Sequence, residues 1–218
     1  MRTRHTSLLT TLCSAGGVGA NRPPTTTLVS PSAAPSAAGA SVAVIGAGAS
    51  GLAAARALRD ANLKPVVYDQ RHAVGGVWNR DATRPAAENP IYNSLRTNLP
   101  KQLMQFWDAP FDAELPSYVA HADVQRYLEA YCDRHGLASL LRLRSHVQAL
   151  SRREGGGWEL TVRHSDERVS TELYDAVVVA NGHFAVPSVP EIRGRCDFEA
   201  SGERVVTHSS TYRAPAAY

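Results

Sequence analysis

The sequence predicts an α/β fold, a parallel sheet with helices packed on it, and three observations carry that expectation. A short apolar run at residues 42–45 passes through a glycine-rich turn into SGLAAARALRDANL, which has the pattern of a helix. A second short strand, PVVYD, begins at Pro65, so strand, turn, helix and strand follow within about 28 residues, as in a βαβ unit. Farther on, residues 173–182, LYDAVVVANG, read as one nearly continuous apolar strand ending in a turn, the pattern of a buried parallel strand.

Taken from the N-terminus, the chain begins with a segment of a different kind. Residues 1–40 are rich in Ser, Thr, Ala and Pro, contain Arg2, Arg4 and Arg22, and lack acidic residues, the first in the chain being Asp60. That composition predicts a disordered transit peptide directed to a chloroplast or mitochondrion, with a cytoplasmic protein as the alternative. Residues 33–39 read as linker, and the folded domain is expected over 41–218.

Between the two ends lie two more elements. Val124, Tyr127, Leu128 and Tyr131 fall at i, i+3, i+4 and i+7, an amphipathic helix starting at His121 with Gly136 at its C-terminus. Residues 146–162 hold two β-like stretches around Gly155, Gly156 and Gly157, and Trp158, Leu160 and Val162 alternate as in a half-buried strand.

Bulk properties exclude several classes. At 218 residues, 44% hydrophobic and 20% charged, the chain has the make-up of a globular protein. No apolar run reaches the roughly 18 residues of a membrane span. A net charge of +3, much of it from the N-terminal arginines, gives nucleic-acid binding no support. Cys13, Cys132 and Cys196 are odd in number and far apart, and His183 and His208 have no ligand-like spacing, so no metal site is expected.

The chemistry lies first in Gly46-x-Gly48-x-x-Gly51, directly after a strand and at the start of a helix, the Rossmann-type dinucleotide fingerprint. Gly46 permits the tight turn, Gly48 lets backbone approach a pyrophosphate, and Gly51 lets helix pack on strand. Ser50, in the first helical turn, belongs to the same candidate site, where unpaired N–H groups face phosphate. Asp69 follows Gly51 by 18 residues, at the end of the second strand, where a carboxylate can accept from ribose hydroxyls, with an exposed strand-end carboxylate as the other reading.

Three further segments carry a family resemblance. QRHAVGGVW follows Asp69, YNSLRTNLPKQLMQFWDAPF starts at Tyr92, and VVVANGHFAVPSVPEIRG starts at Val177. Together they resemble the flavin-containing monooxygenases, and SLRTNLP is similar to the plant-type branch that includes S-oxygenases of thioether side chains. The resemblance implies an incomplete Rossmann-like FAD-binding domain, a parallel sheet with helices and a β-meander crossover, that stops before the NADPH-binding domain. It implies FAD and NADPH as cofactors and O2 with a small-molecule nitrogen or sulfur nucleophile as reactants, through a C4a-hydroperoxyflavin. The alternative is a truncated, noncatalytic FAD-binding module.

Residue by residue, the resemblance places Gly76, Val77 and Trp78 along the FAD, with core filling as the other reading of Trp78. It makes Asn98 the catalytic amide, near flavin and nicotinamide, with Thr97 as its neighbour at the cofactor. A turn residue before Pro100 is the other reading of Asn98. Lys101 stands outside this set, as a phosphate contact or a solvated side chain. One departure is visible: Phe198, Gly202, His208 and Tyr212 match the family's Phe-x-Gly-x-x-x-His-x-x-x-Tyr with the first two gaps each two residues longer.

Overall fold

The computed structural model describes residues 39–81, 89–184, 186–200 and 204–217, and the βαβ unit opens its fold. β1 (Ser41–Ile45) leads into α1 (Ala49–Asp60) and then β2 (Lys64–Tyr68), and β1 and β2 pair in parallel with Val44 beside Val67. α1 stops where Asn62 turns into the left-handed region, a conformation asparagine tolerates.

The segment between β2 and the next strand is mostly loop. Among its described residues it carries turns of 3-10 helix at Gly76–Trp78 and Ala138–Leu140, a single-turn helix α2 (Lys101–Met104) and the amphipathic α3 (His121–Arg134). The Asp123 carboxylate accepts from the Ala120 N–H at 3.0 Å, which satisfies a donor at the start of α3. Val124, Leu128 and Tyr131 are buried, as their spacing predicts, and Gly136 follows the helix with a φ of +60°.

The remaining strands build two sheets. β3 (Leu141–Arg142) pairs in parallel with β2, while β4 (Ser145–Arg152), β5 (Trp158–His164) and β6 (Val169–Tyr174) form an antiparallel meander. β7 (Ala176–Val179) then joins the first sheet beside β1, giving the all-parallel order β3-β2-β1-β7. A short helix, α4 (Arg195–Glu199), lies near the C-terminal end of the described residues.

Three layers result, and they explain why the strands read as continuous apolar runs. Val44 and Val67 face the core formed with Leu52, Ala55, Leu128 and Leu137 on the helical side. Their neighbours Ala43 and Tyr68 face the meander, against Leu160, Val162 and Tyr174. A strand covered on both faces has no polar alternation to show. Tyr68 and Tyr174 join the two sheets through a hydroxyl–hydroxyl bond of 2.6 Å with their rings edge to face.

The structure corrects one expectation. Residues 173–182 are not one strand: Tyr174 ends β6 in the meander, Asp175 turns the corner, and β7 starts in the parallel sheet. The corner is held by Asp175, whose Oδ2 accepts from the N–H and the hydroxyl of Ser41 at 2.8 and 2.7 Å. Those bonds, led by the Ser41 hydroxyl, hold its carboxyl below the ordinary range. Nor is β7 buried throughout, since Val179 is 62% exposed and β7 is an edge strand among the described residues. Of the cysteines, Cys132 is buried, Cys196 is exposed and both are free; Cys13, Gly202 and the predicted transit segment up to residue 38 lie outside the described residues.

Candidate functional site

The glycine turn closes at the C-terminal edge of the parallel sheet. Gly46 donates its N–H to the Tyr68 carbonyl at 2.7 Å, and a Cβ on it would lie 2.4 Å from the Ala180 carbonyl oxygen. Its φ of +107° and this crowding leave room for glycine alone. Gly51, buried in the first turn of α1, sits so close to the turn that a Cβ would fall 1.8 Å from the Gly46 carbonyl oxygen.

Helix α1 begins without a side-chain cap and has no acidic residue in its first turn. Its first N–H groups have no carbonyl one turn earlier to bond, so their partial positive charge is available to an anion. Ser50 lies there, exposed, and Gly48 is the residue just before the helix.

Asp69 ties the end of β2 to that turn. Its Oδ2 accepts from the Ala47 N–H at 2.7 Å, and its Oδ1 accepts from the Arg71 N–H at 2.8 Å. A carboxylate offers about four lone-pair sites, so capacity remains on both oxygens.

The Gly75–Gly76 turn lies against the first turn. Gly75 donates its N–H to the Ala47 carbonyl at 2.9 Å, and Gly76 backs onto Gly48. Trp78 is half-buried and packs on the helical-side core, while Val77 beside it is partly exposed.

One residue of this region gives no sign of itself in the sequence. Gln125, on α3, donates to the Val74 carbonyl at 2.8 Å and to Glu129 at 2.7 Å. Its buried Oε1 has no hydrogen-bond partner among the described residues and stands where a Cβ on Gly75 would be, 1.9 Å away. Gln125 occupies a polar position in the helix pattern, so periodicity says nothing of it.

Thr97 and Asn98 belong to a different loop. The Thr97 N–H bonds the Val119 carbonyl at 2.9 Å, and Leu95 accepts from the His121 N–H at the start of α3 at 3.1 Å. Helix α3 therefore links the two parts, through His121 to the Thr97 loop and through Gln125 to the Gly75 turn. Thr97 is buried and its hydroxyl donates to the Leu99 carbonyl at 2.9 Å, whereas the Asn98 side chain is exposed without a hydrogen bond among the described residues. Burial, with Arg80 nearby, lowers the pKa of His121 below the ordinary imidazole value.

The segment with the longer family gaps is a docking piece. His208 caps a short turn at Ser209–Thr211 by accepting from the Ser210 N–H at 3.1 Å. Tyr212 then meets Tyr92 edge to face at 5.4 Å, and Arg213 donates to the Asn89 carbonyl at 2.7 Å. These contacts fasten the segment to the chain just before the Thr97 loop.

Among the described residues no three His, Cys, Asp or Glu side chains gather to hold a metal, and no helix is long and apolar enough to cross a membrane. A model of flavin-binding monooxygenase-like proteins matches residues 39–218. The flavin-containing monooxygenase FMO GS-OX5 of Arabidopsis thaliana is 35% identical over 193 residues, which cover 80% of this chain and 41% of that protein. The solved S-allyl-L-cysteine S-oxygenase of Allium sativum superposes with a TM-score of 0.73 at 31% identity, over 82% of this chain and 43% of the other. A steroid monooxygenase solved with NADP bound shares the fold alone, at 24% identity and a TM-score of 0.54 over 72% of this chain and 29% of its own. The chain thus spans about two fifths of the length of such relatives.

Proposed function

We propose that this chain, which belongs to the flavin-binding monooxygenase-like family, binds FAD across the joined glycine turns as the FAD-binding part of an NADPH- and O2-dependent monooxygenase. The observation that carries the reading is the junction itself: Gly48 against Gly76, with Asp69 bonded to Ala47 between them. The residues present fit the cofactor. Gly48 and Gly76, which carry no side chain, leave backbone open to a diphosphate, and the uncapped start of α1 supplies positive potential. The spare lone pairs of Asp69 accept from the ribose hydroxyls.

When bound, FAD supplies the redox chemistry and the activation of oxygen. Asn98 contributes a donor and an acceptor from one neutral amide, so it hydrogen-bonds at the flavin without bringing an acidic proton. Ser50 lies at the phosphate end, Val77 continues the Gly76 turn, and Trp78 holds that turn onto the core. Thr97, its hydroxyl proton committed to Leu99, stiffens the backbone beside Asn98.

A soft sulfur or nitrogen nucleophile is the proposed substrate class. Support comes from the similarity to a solved S-oxygenase acting on S-allyl-L-cysteine. The full chain incubated with FAD and passed through gel filtration tests the binding step. Flavin is expected to travel with the protein and show structured visible absorbance; a flavin-free protein peak overturns the reading. Residues 1–40, which lack any acid, are proposed as an organelle-directing leader, which a fluorescent fusion of that segment would report.

A further inference from the structure

Lys101 is not a solvated side chain, and its ammonium is bonded within the protein. Its side chain is buried, 6% exposed, and Nζ donates to the carbonyls of Asp112, Ala113 and Leu115 at 2.6, 2.8 and 2.5 Å. An ammonium has three protons to donate, and all three are used here. A charge taken out of water must be compensated, and in this case three backbone dipoles from one loop do so.

That loop continues as a strap that returns along the Asn98 segment. Ser117 accepts from the Lys101 N–H at 2.7 Å and Val119 from the Thr97 N–H at 2.9 Å, and Arg96 makes a β-bridge with Ala120. Asn98 therefore lies between two fastened points, Thr97 and Lys101, while its own side chain is left without a hydrogen bond among the described residues. The cage of carbonyls closes one end of this arrangement, and removing the ammonium would leave three inward-facing oxygens to repel one another.

We infer that Lys101 is a positioning residue for Asn98: by gathering the strap at residues 112–115, it fixes the backbone from which the amide meets the flavin. This rests on the proposed reading of Asn98 as a flavin contact. Lys101 itself touches neither cofactor nor substrate in this role, so its effect must pass through Asn98.

The test uses the full chain loaded with FAD, reading the visible circular dichroism of the bound flavin for Asn98→Ala, Lys101→Met and the double variant. Asn98→Ala is expected to change the flavin signal, and Lys101→Met to change it in the same sense, with FAD affinity held within about threefold. The double variant should then match Asn98→Ala alone, because two residues acting through one contact are not additive. If Asn98→Ala alters the flavin signal while Lys101→Met leaves it at wild type, the inference is overturned and the reading of Asn98 stands. If Asn98→Ala alters nothing on a chain that holds FAD, that reading falls and the inference with it. Should Lys101→Met fail to fold, Lys101→Gln, which reaches fewer carbonyls, is measured by hydrogen exchange at residues 97–103. Faster exchange there with the rest unchanged supports the clamp; unchanged exchange overturns it.

Discussion

Gly76 backs onto Gly48 so closely that a Cβ on Gly76 would lie 2.9 Å from the Gly48 Cα, whereas a Cβ on Gly48 would lie 3.5 Å from the Gly76 Cα. The two contacts differ in kind. The first requires something to shift and the second is ordinary van der Waals contact, so the two alanine variants separate folding from binding. Gly76→Ala, at a φ of +57°, should lose about 1–2 kcal/mol of stability and most flavin retention. Gly48→Ala should keep the wild-type Tm and still lose flavin, because the new methyl stands at the proposed diphosphate approach. Thermal unfolding and flavin co-elution on both variants check this.

Gly51→Ala should be far more damaging than its helical position suggests. Alanine gains about 1 kcal/mol over glycine within a helix. The added Cβ would nevertheless meet the Gly46 carbonyl oxygen at 1.8 Å, and both groups are backbone that cannot swing aside. Urea denaturation is expected to show a net loss of about 3 kcal/mol or failure to fold.

Asp69→Ala removes the acceptor of the Ala47 N–H together with the proposed ribose contact. Losing hydrogen bonds to a charged group costs about 1.5–3 kcal/mol, which corresponds to roughly ten- to hundredfold weaker FAD binding. Asp69→Asn, which keeps one acceptor oxygen, should fall between Asp69→Ala and wild type in a fluorescence titration.

The Tyr68–Tyr174 pair predicts an alkaline limit to stability. Burial first, and then the bond between them, raises the pKa of Tyr68; burial likewise raises that of Tyr174. Below about pH 10, the ordinary tyrosine value, folded and unfolded chains both keep these protons and the contribution is complete. Above it the unfolded chain ionises first, so stability falls as pH rises towards the folded-state values. Tyr174→Phe strands the buried Tyr68 hydroxyl and should cost about 1–3 kcal/mol. The double Tyr68→Phe, Tyr174→Phe variant should recover part of that loss and flatten the alkaline slope of Tm.

Much of the fold was legible because its signals are local. The Val42 run, the three spaced glycines and the helix after them state a βαβ unit in consecutive residues, and the chain folds that way. The i, i+3, i+4, i+7 spacing from Val124 to Tyr131 names the face of α3 that is buried. The bend at Asp175 was not legible, because an apolar run looks the same whether it stays in one sheet or passes between two. Its cause is a pair of hydrogen bonds to Ser41, far away in the chain.

By itself the sequence determined the parallel sheet, the glycine fingerprint and the family, since each is written in residues a few positions apart whose backbone preferences are intrinsic. Tertiary structure alone decided which loops touch. The meeting of Gly48 with Gly76, the Gln125 amide against Gly75 and the closure of three carbonyls around Lys101 are contacts between segments with no repeating pattern. Such contacts follow from how packed layers bring loops together, and, for the Lys101 ammonium, from the cost of leaving a buried charge without acceptors.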